Sequence, residues 1–201
     1  MVSIVQKDDP RAGQVLRANA VPVTKIEIGA SELKKILSRM REALNREDDG
    51  VALAAPQIGV SKRVFVVSPM AYEIAERMKN ERNKKNPEGE QAEDERKQDR
   101  ATAAQIKKNY HLVYINPRIV KVSQEKKNLE EGCLSVRPLY GKVRRSVRAT
   151  VEALDEYGNH FTQGASGLLA QIFQHETDHL DGVLFVDKAK DVREMPQTAD
   201  I

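Results

Sequence analysis

The stretch from Ser166 to Gly182, SGLLAQIFQHETDHLDG, restricts the fold more than any other part of the chain. Leu168, Leu169, Ile172 and Phe173 recur at helical spacing, which predicts a helix over about 166–180 with one strongly buried side. Ser166 suits its N-cap and Gly182 its exit. The same helix also carries His175, Glu176, Asp178, His179 and Asp181 near its end. Burying that many titratable groups is costly unless they find partners or an ion. The rest of the chain must therefore enclose a polar site.

Within the helix, His175, Glu176 and His179 spell H-E-x-x-H. Positions i and i+4 share a helix face, so both imidazoles can reach one divalent ion. Glu176 is rotated by roughly 100° from His175, which can set its carboxylate beside the ion's open position as a proton carrier. A catalytic tetrahedral site needs a third protein ligand. The protease pattern H-E-x-x-H-x-x-G-x-x-H would put a histidine at 185, where the chain has Phe185. The alternative of a downstream glutamate on a second helix leaves only Glu194, in a short polar segment. His111 and His160 read as ordinary surface or rim histidines. Cys133, in LEEGCLSV, is the one cysteine, so no intrachain disulfide can form. A lone cysteine is commonly a small buried residue, but a thiolate is also a strong soft ligand. Cys133 with His175 and His179 makes a sulfur-and-two-nitrogen set with one position open.

The remaining chain fits one domain over 1–190, followed by a weakly ordered polar tail at 191–201. A length of 201 residues allows a substantial core. Net charge is +3, from 33 basic and 30 acidic residues, which does not mark a nucleic-acid binder, and no sequence-specific contact to nucleic acid is expected. No apolar run reaches the length of a membrane span, so no membrane partner and a cytoplasmic location are expected. Leu33, Ile36, Leu37, Met40 and Leu44 predict a helix over 31–45 capped by Ser31. A small-residue loop follows at 48–60. Strands are predicted at 62–67, 111–123 and 147–162. Between the first two lies a charged insertion, 70–108, read as a solvated helical hairpin turning at NPEG, 86–89.

Three stretches in order, GVALAAPQ (50–57), EGCLS (131–135) and QHETDHLDG (174–182), resemble the sequence motifs of the peptide deformylases; INP (115–117) and DGVLFVD (181–187) are also similar. The resemblance implies an α+β fold of antiparallel strands packed around a central helix that carries the histidines. It implies a metal-dependent hydrolase that removes the formyl group from the N-terminal formyl-methionine of nascent chains and releases formate. Cys133, His175 and His179 would hold the metal with water in the fourth position, Glu176 would be the general acid/base, and the Gln57 amide and Leu134 backbone N–H would bind the formyl oxygen. The implied ion is Fe2+, with Ni2+, Co2+ or Zn2+ able to replace it. Gly132 and the 50–53 backbone would pair with the peptide, and Val51, Leu129, Leu168 and Ile172 would line the methionine pocket. Glu131 and Arg145 would brace the cysteine loop. The ribosome near the exit tunnel is an implied partner. This chain departs from the family at Ala52, where a second glycine is usual, at Gln171, where an apolar residue or arginine is usual, and in SVRPLYG. Two further readings remain: a deformylase-like protein of weak or altered N-acyl activity, and a ribosome-docking module. An intact Glu176 and Gln57 speak against the second, since a structural site needs no base.

Overall fold

The computed structural model describes residues 2–10, 12–85 and 111–194. Helix α1 (Ser31–Leu44) buries Leu33, Ile36, Leu37, Met40, Ala43 and Leu44, the stripe its periodicity predicts. Its N-cap is Ala30 rather than Ser31, and no side chain caps it. Burial of the stripe, not the cap, therefore holds this helix in place.

Two antiparallel sheets follow. The larger has the order β1-β2-β3-β6-β7, built from β1 (Ala52–Ala54), β2 (Val64–Val67), β3 (Leu112–Val122), β6 (Arg148–Leu154) and β7 (His160–Ser166). The smaller has the order β4-β5-β8, from β4 (Lys126–Gly132), β5 (Leu139–Ser146) and β8 (Lys190–Glu194). The predicted strands at 62–67, 111–123 and 147–162 appear as β2, β3 and the β6–β7 hairpin. All four residues of β2 are buried, as expected for a β-branched and aromatic run with both faces covered. At INP, Asn116 adopts a left-handed conformation (φ 51°) and its side-chain amide pairs with both the N–H and the C=O of Val23, tying the entry segment to β3.

Three expectations are corrected. Residues 52–54, expected in a loop, form the edge strand β1, paired with β2 from Ala52↔Val67 to Ala54↔Phe65. The tail expected from 191 on begins later, because Lys190–Glu194 pair with β5 as β8. The insertion expected to be solvated from 70 on starts as helix α2 (Pro69–Lys85), with Ala71 and Tyr72 in the core. The Tyr72 hydroxyl lies 2.7 Å from that of Tyr114, which donates to Gln163 Oε1 at 2.6 Å. The remainder of the insertion from 86, including the NPEG turn, lies outside the described residues.

Helix α3 (Gly167–Leu180) packs against β1, β3, β6 and β7 of the larger sheet and β5 of the smaller one. Phe173 anchors it beside Phe65 and Tyr114, whose rings stack with centroids 4.4 Å apart. Aromatic burial of this kind contributes about 1.5–3 kcal/mol per side chain. On the other side, Gln174 donates to Ser146 O and accepts from Ser146 N–H, locking α3 to β5. Ser166 is the N-cap as predicted, without a side-chain bond, and the chain leaves through Asp181 into Gly182. Gly182 has φ 73°, and a Cβ there would sit 2.6 Å from Arg17 O, so conformation and space both require glycine. The fold is α+β, with antiparallel strands around a central helix. Among the described residues, no helix is long and apolar enough to cross a membrane.

Candidate active site

His175 and His179 stand one turn apart on α3, with ring centroids 4.9 Å apart. Cys133, just past the end of β4, meets them from the opposite wall, with Sγ 3.2 Å from His179 Nε2. One ligand atom from each of the three residues lies within 4.8 Å of the others, and among the described residues no other such group was found. His111 lies buried elsewhere and His160 pairs with Glu152 on the surface, so neither joins the cluster.

The surroundings hold each ligand from behind. His175 Nδ1 is 3.0 Å from Glu131 Oε2, which leaves Nε2 for an ion. Glu131 is buried and receives Nε and Nη2 of Arg145 at 2.7 and 2.9 Å, the pairing the resemblance implies. Arg145 also donates to Asp178 Oδ2 at 2.6 Å, and Lys188 approaches the other oxygen of Asp178. The bonds from Glu131 to His175 and from Asp178 to Arg145 were not foreseen from the sequence. The acids in HETDH were its only signal.

The two imidazoles are shifted in opposite directions. Burial disfavours charge on His175, yet the hydrogen bonds to Cys133 and Glu131 outweigh it and hold its pKa well above the ordinary histidine value. Burial, with His175 next to it, pushes His179 well below that value. A proton and a metal compete for the same ring nitrogen, so an ion bound here would have to displace the proton that His175 holds. At the site, Glu176 Oε2 is buried with no hydrogen-bond partner among the described residues; His179 Nδ1 is also unpartnered, but it is Nε2 of that ring that faces Cys133. Such orphaned polar atoms are expensive unless something else in the finished site satisfies them. One thiol, two imidazoles and a free carboxylate therefore fit a single ion with an open position. Burial, reinforced by the Glu131 charge and opposed by His175, raises Glu176 to about 7, the range in which a carboxylate both takes and returns protons near neutrality.

Gln57 lies in the 3-10 turn Ala55–Ile58 that follows β1. Its Oε1 accepts from Ala54 N–H at 2.8 Å, so Nε2 is directed to Ser135 Oγ at 3.2 Å and Cys133 Sγ at 3.5 Å. The N-terminal segment straps this turn to the cysteine loop: Val5 N–H donates to Gln57 O and Lys7 N–H to Ser135 O, each at 2.8 Å. A cleft of about 290 Å³ opens onto the cluster, lined by Val51, Ala52, Gln57, Gly132, Cys133, Leu134, Leu168, Gln171, Ile172, His175 and Glu176 among others. Leu129 does not line it and instead stands half-buried on β4 opposite Val143. Both walls are sheet edges, because β1 ends the larger sheet and β4 ends the smaller one.

A helix-borne imidazole pair met by a thiol, with a buried carboxylate beside them at a cleft, is the residue set of a single-ion hydrolytic site in this α+β protein. The comparisons narrow that class. The sequence model of the polypeptide deformylase family matches residues 1–195. The peptide deformylase of Natranaerobius thermophilus is 37% identical over 185 residues, covering 92% of this chain and 90% of that protein. Among solved structures, the peptide deformylase of Thermotoga maritima aligns with a TM-score of 0.67 at 32% identity, over 94% of this chain and 98% of that one. A class I type b peptide deformylase from Acinetobacter baumannii, bound to Met-Ala-Ser, aligns with a TM-score of 0.68 at 28% identity, over 94% and 98%. The chain belongs to the peptide deformylase family, metal-dependent enzymes that remove the formyl group from the N-terminus of newly made polypeptides.

Proposed function

We propose that this chain hydrolyses the formyl amide of N-formylmethionyl peptides at an ion held by Cys133, His175 and His179, with Glu176 as general acid/base. The observation that carries this reading is the convergence of Cys133 Sγ on the two imidazoles beside a buried carboxylate with an unpartnered oxygen. At this position a divalent ion supplies Lewis acidity toward water and the formyl carbonyl. Glu176, buried beside the cluster with one oxygen unpartnered, takes the proton of the attacking water and returns it to the amine nitrogen that leaves with the peptide. Charge that builds on the formyl oxygen is met by Gln57 Nε2, whose orientation Ala54 fixes, and by the Leu134 N–H. A donor aimed at such an oxygen contributes about 10²–10³ in rate. Fe2+ is the proposed native ion. Ni2+, Co2+ and Zn2+ also suit a thiolate with two imidazoles.

The two sheet edges support the substrate geometry. An extended peptide entering between β1 and β4 can pair with the Val51 and Gly132 backbones, and its first side chain then falls toward Leu168 and Ile172. The Met-Ala-Ser ligand of the Acinetobacter relative is of this kind. Nascent chains near the ribosomal exit tunnel, in the cytoplasm, are the proposed source of substrate, and the proposed domain extends past the expected boundary at 190 to take in β8. The test is formate release from formyl-Met-Ala-Ser by anaerobically prepared, Fe2+-loaded protein. Turnover is expected in the parent, with a loss of at least about 10²-fold in Glu176→Ala. Equal, negligible rates in both would sink the enzymatic reading.

A further inference from the structure

Gln171 lies one turn before His175 on α3, half-buried in the cleft wall. Its Nε2 donates to the carbonyl oxygen of Glu130 at 2.8 Å and reaches Glu131 Oε1 at 3.3 Å. Glu130 and Glu131 immediately precede Gly132 and Cys133, and the other oxygen of Glu131 holds His175 Nδ1. Arg145 grips the same carboxylate from β5. Gln171 grips it from the helix that carries both histidines. Its two bonds therefore span the gap between the wall bearing the sulfur ligand and the wall bearing the nitrogen ligands.

We propose that Gln171 is a positioning residue, a strut that acts through Glu131 and the Glu130 carbonyl to set how firmly Cys133, His175 and His179 hold an ion. This rests on the metal site proposed above. A residue that merely lined the cleft would affect peptide affinity alone. A strut governs metal retention as well, because a ligand's hydrogen-bond partner fixes its orientation and basicity.

The test uses Ni2+-loaded full-length protein and reads the rate of nickel transfer to excess EDTA, with no substrate present. Gln171→Met keeps the length of the side chain and removes both donors, and about tenfold faster release is expected. Gln171→Arg restores donors toward Glu131 and should release nickel within about twofold of the parent. In a Glu131→Gln background the Met substitution should have a clearly smaller effect, since coupled residues are not additive. The visible spectrum of the Co2+-loaded protein should change in Gln171→Met and return toward the parent's in Gln171→Arg. Equal release from parent and Gln171→Met, with only KM altered, overturns the proposal. So does release from Gln171→Arg as fast as from Gln171→Met. A parent that takes up no nickel sinks the metal-site reading, and the proposal falls with it; uptake by all variants with equal release sinks the proposal alone.

Discussion

Replacing Glu131 by glutamine keeps the shape of the side chain and removes its charge. Burial alone would push this carboxyl up, but the hydrogen bonds from Arg145 and His175 overcome it and hold the pKa at about 2 rather than 4.5. At about 1.4 kcal/mol per unit, that displacement corresponds to about 3 kcal/mol of stability at neutral pH. Glu131 is 5% exposed, so solvent screening removes little of it. The folded pKa lies below the unfolded one, so the contribution is complete well above pH 4.5 and is lost as pH falls toward 2. Near pH 3.5 the unfolded chain has mostly taken up the proton and the folded one has not, and about 2 kcal/mol remains. Urea unfolding of metal-free parent and Glu131→Gln, at pH 7 and again near pH 3.5, measures the difference directly. Two results would refute the reasoning: a gap of under about 1 kcal/mol at pH 7, or one that does not shrink in acid.

Two other substitutions probe the cleft wall and the attachment of α2. A Cβ on Gly132 would lie 2.4 Å from Cε1 of Tyr140, its register partner on β5, so Gly132→Ala should lose about 1–3 kcal/mol in urea unfolding and lower kcat/KM by displacing the peptide-pairing edge. Parent-like values of both would mean that the ring yields freely. Tyr114 spends its proton on Gln163, so the Tyr72 hydroxyl is the donor between the two tyrosines, and Tyr72→Phe should lose about 1 kcal/mol in the same assay. No loss would mean that this bond does not hold α2 to the core.

What could be read from the chain depends on whether the relevant signal is local. The central helix was legible because Leu168, Leu169, Ile172 and Phe173 share a face, and the H-E-x-x-H spacing placed two ligands and the base on it without further information. Strands β2, β3 and β6 were legible because their buried residues are mostly β-branched, aromatic or small apolar, whereas β7, whose buried residue is Gln163, was legible as the return strand of a hairpin after the turn at Tyr157–Asn159. Strands β4 and β5 were not, and the reason lies in the site. Along β5 the buried positions include Gly141, Val143 and Arg145, and along β4 the fully buried position is Glu131. A sheet whose inner face carries an ion pair has no apolar alternation to detect. That ion pair faces inward because it braces His175, so the residues that hide β4 and β5 from a periodicity reading also support the cluster. The third ligand is non-local for a similar reason. Cys133 lies 46 residues from His179 along the chain, and it reaches the helix because β4 is an edge strand whose last residue, Gly132, opens onto the cleft. Periodicity could not set that distance; the ligand chemistry of the lone thiol made Cys133 a candidate, and likeness to a family singled it out. The same edge is unpaired on the side away from β5, and residues of both β4 and β1 line the cleft. An unpaired strand edge is ordinarily an aggregation liability. Here both edges border the cleft that holds the candidate metal cluster, so a peptide bound as proposed would cover them, and the strand that delivers the thiol would also be a wall of its slot.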